Sequence, residues 1–184
     1  MDNKLLRRLD LTSSVLLLLW LGMAVGFAAL VAPALFTILP TRDLAGKVAG
    51  ALVSRLDMAA WCAFGGALGL SFGARWLHEV KEPGPVGPLR LWTAAAILAL
   101  LFTFSSTFIV TARMKEIRAQ VGGPMELLAP EDPLAKTYAR AHKFSTQFFV
   151  IRMVLAAALA WGVSKLPSIQ EENSVSAMPI RETN

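Results

Sequence analysis

Cysteine is almost absent from this sequence: Cys62 stands alone among 184 residues. One thiol excludes an intrachain disulfide framework and a cysteine-based zinc site. Charge is scarce as well. Asp, Glu, Lys and Arg make up 17% of the chain, where a soluble domain carries ~25%. Set against 55% hydrophobic residues, that scarcity excludes intrinsic disorder, which combines low hydrophobicity with high charge. CxxCH, HExxH, Walker-type and GxSxG motifs are all missing, so no nucleophile–base pair can be argued. The formal net charge of +5 would suit nucleic acid, but paired with such apolar excess it points to a membrane protein instead.

Four stretches are long and apolar enough to cross a bilayer, at residues 11–32, 58–75, 89–112 and 144–164. About 20 residues at 1.5 Å rise span a ~30 Å hydrocarbon core. The first follows Lys4, Arg7 and Arg8, like a signal peptide, and Ala32-Pro33-Ala34 imitates a cleavage site. A signal-peptide core runs only ~7–15 residues, so a retained helix is expected. The architecture expected is therefore all-α: a polytopic membrane four-helix bundle over residues 1–166, followed by a polar mobile tail at 167–184. Four spans put both termini on one side. The proline- and glycine-rich stretch from His78 to Pro88 reads as the loop between the second and third spans.

The other connections carry helix signals. Thr41 can cap, with Asp43 in the first turn, so the second helix starts well before its membrane segment. The third loop should be ordered and partly helical. Residues 112–121 continue the third helix until Gly122-Gly123-Pro124 stops it, and Asp132-Pro133 starts the next. Asp132 and Lys136 are spaced for an i,i+4 pair. Orientation is set by opposing signals. The basic N-terminal flank favours cytoplasmic termini, in a bacterial inner membrane, whereas Arg113, Lys115, Arg118, Lys136, Arg140 and Lys143 in the third loop favour the reverse.

Small residues draw helices together in lipid. Gly65, Gly69 and Gly73 form GxxxGxxxG, and Gly22 and Gly26 form GxxxG. These rows are expected to pack helices within the bundle, a homodimer interface being the alternative. The five tryptophans, Trp20, Trp61, Trp76, Trp92 and Trp161, read mostly as interfacial anchors.

Arg152 is the most informative residue. It falls eight positions after Phe144, ~12 Å into the membrane at helical rise. Arginine there costs at least ~2.5 kcal/mol and marks a functional site unless it is a structural pair. Topology names Asp57 as its partner, because the second and fourth spans start on the same side. His142, Ser145, Phe149, Arg152 and Ala156 share one stripe of the fourth helix. Ser105, Ser106, Thr107 and Thr111 cluster on the third helix toward that side. With Arg55 they suggest a polar, hydrated vestibule in one half of the bundle and an aliphatic other half. His78 and His142 are a bilayer apart, which disfavours bis-histidine haem; a haem with His142 as its one histidine ligand stays open.

Several of these residues resemble a known family. Trp20-Leu21-Gly22-Met23-Ala24-Val25-Gly26-Phe27, then Ala32-Pro33-Ala34-Leu35-Phe36, is similar to the first helix of the four-span family typified by transmembrane protein 205. Ala45-Gly46-Lys47-Val48-Ala49-Gly50 fits its continuation. Arg113-Met114-Lys115-Glu116-Ile117-Arg118, Asp132-Pro133 and Arg140-Ala141-His142-Lys143-Phe144-Ser145 resemble that family's third loop and fourth-helix start. The resemblance covers roughly residues 12–165 and implies the fold without an activity. His142 and Ser145 match the family's His-Gly-x-Ser pattern; Lys143 replaces its glycine, and Phe149 stands about where its asparagine would be. A looser likeness, to copper-resistance D type membrane proteins, rests on the glycine-rich first helix.

The function expected is non-enzymatic: a small-ligand or ion-handling bundle, or an accessory subunit of a membrane complex. Its polar cluster would be Arg152, Asp57, Arg55, His142, Ser145 and Ser106. A haem-linked oxidoreductase using His142, and a lipid-organising protein with basic flanks on anionic headgroups, are the alternatives.

Overall fold

The computed structural model describes residues 3–73, 87–129 and 131–164. Among them there is no strand. Four helices are long and apolar enough to cross a membrane: α1 (Lys4–Ile38), α2 (Arg42–Ser71), α3 (Leu89–Val121) and α4 (Pro133–Val163). The expected 167–184 tail, His78 and Trp76 lie outside the described residues.

The helices run up and down in a ring. α1 and α3 each pack against both α2 and α4, so α2 and α4 face one another across a diagonal. The α1–α2 and α3–α4 connections meet at one end, called here the loop end. Each helix exceeds the ~20 residues that a bilayer requires, and at the loop end the excess carries the charge.

Local chemistry sets the boundaries. Thr41 is extended, and its Oγ1 accepts the Leu44 N–H at 3.2 Å, starting α2. α3 stops at Gly122, which adopts φ 64° and donates its N–H to the Arg118 carbonyl. That left-handed conformation suits glycine, which has no Cβ to clash. Asp132 Oδ1 accepts the Leu134 N–H at 2.7 Å and opens α4 beside Pro133. Two local expectations change. Lys136 pairs with Glu131 at 2.7 Å in place of Asp132. The helix containing α3 begins at Gly87, inside the expected loop, because Pro88 is tolerated in a first turn where no N–H is required.

Among the described residues there are three wide π-turns, at Phe27–Val31, Gly69–Gly73 and Ser105–Val110. The first precedes Pro33. Proline supplies no N–H and crowds the carbonyl four residues back, and a widened turn relieves both problems.

Alanine does the close packing. Ala60, Ala63 and Ala67 on α2, Ala96 and Ala99 on α3, and Ala156 and Ala160 on α4 are buried around Trp20, Phe64, Trp92 and Leu159. The glycine rows do not. A Cβ built on Gly22, Gly26, Gly65, Gly69 or Gly73 meets nothing within 4 Å, which corrects the expected GxxxG packing inside the bundle. Three other glycines make close approaches: a Cβ would come 3.1 Å from the Arg118 guanidinium at Gly46, 3.2 Å from Leu16 at Gly66 and 3.0 Å from Trp92 at Gly162. Trp20 and Trp92 are likewise core residues and not anchors. Trp92 Nε1 donates to the Leu159 carbonyl at 3.1 Å. The half away from the loop end also has polar contents, since Ser71 Oγ donates to Ser13 Oγ at 2.8 Å and both serines are buried.

The outer surface is apolar. Leu18, Leu30, Leu101, Phe108, Val154 and Trp161 are all exposed. Large exposed apolar surfaces are rare on soluble monomers, and these exposed side chains are compatible with an integral membrane protein.

Ala63→Leu should overpack the core and cost ~1–3 kcal/mol. Gly22→Ala should be neutral or stabilise by up to ~1 kcal/mol through helix propensity. Thermal unfolding in detergent checks both.

Candidate functional site: a buried arginine–aspartate pair

The pair spans the α2–α4 diagonal. Arg152 on α4 and Asp57 on α2 are 0% and 1% exposed, and Arg152 Nη1 donates to Asp57 Oδ1 at 2.7 Å. From α3, Ser106 Oγ and Thr107 Oγ1 each donate to Asp57 Oδ2 at 3.3 Å. These hydroxyls belong to adjacent residues inside the Ser105–Val110 turn. A regular α-helix turns 100° per residue; a π-turn turns less, which helps neighbouring side chains reach one carboxylate oxygen.

Aromatic rings close the site. The guanidinium carbon lies 5.8 Å from the ring centroids of both Trp20 and Phe149, within the range of cation–π attraction. Trp20 is fixed by its Nε1–H, which donates to the Leu56 carbonyl at 2.9 Å, one residue before Asp57. It packs against Phe64 and Phe149, with ring centroids 5.2 Å and 6.3 Å away.

One part of Arg152 is unmet. Nε and Nη2 are buried and have no hydrogen-bond partner among the described residues. Their N–H bonds lie along the same edge of the planar guanidinium, the two-pronged edge that matches a carboxylate or phosphate.

A second arginine offers a contrast at the loop end. Arg118 Nη1 donates to Asp43 Oδ1 at 2.9 Å, while Nε and Nη2 donate to Tyr138 Oη at 3.0 and 2.8 Å. Lys47 Nζ holds Asp43 Oδ2 at 2.7 Å, and Glu126 Oε1 accepts the Asp43 N–H at 2.6 Å. This knot joins α2, α3, α4 and the short turn Met125–Leu127. It precedes the apolar part of α2. The Lys47 hydrogen bond, aided by the Arg118 charge, outweighs burial and holds the Asp43 carboxyl below its ordinary value of 3.8.

The structure brings Arg152, Asp57 and Ser106 together and leaves other sequence candidates apart. Arg55 is exposed, since two residues along a helix turns the side chain about 200° from Asp57. His142 is exposed and Ser145 half-buried on the same stripe, nearer the loop end, and neither makes a side-chain hydrogen bond with the pair. The pair itself is fully enclosed, which alters the expected hydrated vestibule. Sequence reasoning missed Trp20 as a wall of the site, although its place midway along the first span, away from either interface, was a usable signal. Among the described residues no group of three or more His, Cys, Asp or Glu could hold a metal ion.

The chain matches no family model, no curated protein and no solved structure. What the site can do follows from its own chemistry.

Acidification should loosen the loop-end knot. Asp43 has a lowered folded-state pKa, so its contribution is fully present above the unfolded value and is lost as pH falls through the folded value. Thermal unfolding from neutral pH to about 3 should therefore show a decline, reduced in Asp43→Asn.

Proposed function

We propose that this chain is a four-span integral membrane protein, in a bacterial inner membrane with both termini on one side, whose bundle handles a small polar or anionic ligand at Arg152. The observation that carries this reading is a completely buried guanidinium with an unmet two-donor edge. Buried polar groups in folded proteins are nearly always satisfied, and an exception requires a reason. Arg118, a half-buried arginine in the same molecule, has all three nitrogens bonded. That is the pattern of a structural arginine, and Arg152 departs from it.

In this reading each neighbour has a task. Asp57 holds the guanidinium through Nη1 and offsets its charge in the apolar interior. Ser106 and Thr107 fix Asp57, and Trp20 and Phe149 bound the site and exclude water. A ligand oxygen accepts charge-assisted hydrogen bonds from Nε and Nη2, which are stronger than neutral ones. Arg55 and His142 take no part. The resemblance to the family typified by transmembrane protein 205 belongs to the proposal too; it supports the four-span fold and adds no activity.

Arg152→Leu should destabilise the bundle by ~3–5 kcal/mol, because it leaves the Asp57 charge buried and unpaired. Adding Asp57→Leu should recover most of that loss, since well-packed apolar residues commonly replace a buried pair without cost. The folded double variant then tests function. Native mass spectrometry of protein released gently from its own membrane should detect a bound small molecule in the wild type and none in the double variant. A molecule retained by the double variant would remove Arg152 from the site.

A further inference from the structure

The charges of Arg152 and Asp57 cancel, and among the described residues no other charged group pairs with either. α1 presents Trp20 to the site, α3 presents the Ser106 and Thr107 hydroxyls, and Arg55 on α2 is exposed. A monoanion added to this neutral pair leaves one uncompensated negative charge in an apolar interior, which is strongly unfavourable. The charge balances if one proton enters with the anion.

The partners of Asp57 Oδ2 permit that while Arg152 stays on Oδ1. Ser106 and Thr107 are hydroxyls, which donate to a carboxylate and equally accept from a carboxylic acid. Asp43 is surrounded differently: Lys47 and Arg118 carry donors only, so they bond its ionised form alone. Asp43 thus has donor-only partners on both carboxyl oxygens, whereas Asp57 has donor-only Arg152 on Oδ1 alone, and its Oδ2 meets hydroxyls that serve either charge state.

We propose that the Arg152–Asp57 pair binds an oxyanion of the carboxylate or phosphate type together with one proton. The oxyanion takes the Nε–H and Nη2–H edge of Arg152, and the Asp57 carboxylate takes a proton from bulk water. An anion and a proton enter together, so the net charge at the bundle centre does not change. This inference rests on the reading of Arg152 as a ligand site and adds the ligand class and its coupling. A free anion and a lipid headgroup share this chemistry.

The test is calorimetric titration of butyrate into the full-length protein in phosphatidylcholine nanodiscs, in buffers of different ionisation enthalpy. Uptake of about one proton per butyrate is expected, with affinity falling about tenfold per unit rise in pH. Asp57→Asn should bind butyrate with no proton uptake and little pH dependence. Arg152→Lys keeps the charge and loses the fork; it should bind about tenfold or more weakly while still taking up a proton. A wild type that binds butyrate without proton uptake, but loses binding in Arg152→Lys, would overturn the coupling and leave the ligand site standing. Binding unaffected by Arg152→Lys, or no binding in any nanodisc with or without anionic lipid, would overturn both. Competition by added phosphatidylglycerol would assign the site to a headgroup, and its absence to a free anion; either supports the shared chemistry.

Discussion

A charge pair at the centre of an apolar bundle constrains everything around it. Neither Arg152 nor Asp57 has access to water, so each depends on the other and on the groups that fix their geometry. The diagonal placement lets one contact involve the whole ring: α2 and α4 supply the charges, α3 the hydroxyls and α1 the tryptophan. The alanine-rich packing surfaces serve the same end. Small side chains let the four backbones approach closely, which brings a guanidinium and a carboxylate on opposite helices to 2.7 Å.

At the loop end, Asp43, Lys47, Arg118, Tyr138 and Glu126 form a network with multiple bonds, at the margin of the apolar region. Toward the other end, hydrogen bonds between helices include Ser71 with Ser13 and Trp92 with the Leu159 carbonyl. Between them lies Arg152, the one buried side chain among the described residues with unmet donors. A firm frame around an unsatisfied group is the arrangement expected where binding is to be specific, because a preorganised site loses little freedom when its ligand arrives.

Much of this was legible in the sequence because the signals were local or topological. The Thr41 cap, the Gly122 stop and the Asp132-Pro133 start are each set by residues within a turn of the boundary. The Arg152–Asp57 contact needed only the knowledge that two helices start on the same side. Signals without direction were harder to use. A glycine row shows that a close approach is allowed on one face without showing which face turns inward, and here alanine faces the core. Tryptophan suits an interface or a buried site with a carbonyl to bond, and Trp20 and Trp92 take the second option. The loop-end knot depends on Arg118 and Tyr138 meeting across two helices and a tight turn, a geometry that no spacing along the chain displays.

The wide turn at Ser105–Val110 accommodates one residue more than a regular turn. It therefore sets the rotation between the two parts of α3. On one side of it, Ala96 and Ala99 face the core; on the other, Ile117 is fully buried and Arg118 reaches Asp43. The same residues wound as a regular helix would swing the loop-end part round by ~100°, carrying Arg118 away from Asp43 and Tyr138. The winding of the chain through this turn is thus as much a determinant of the fold as the identity of any side chain within it.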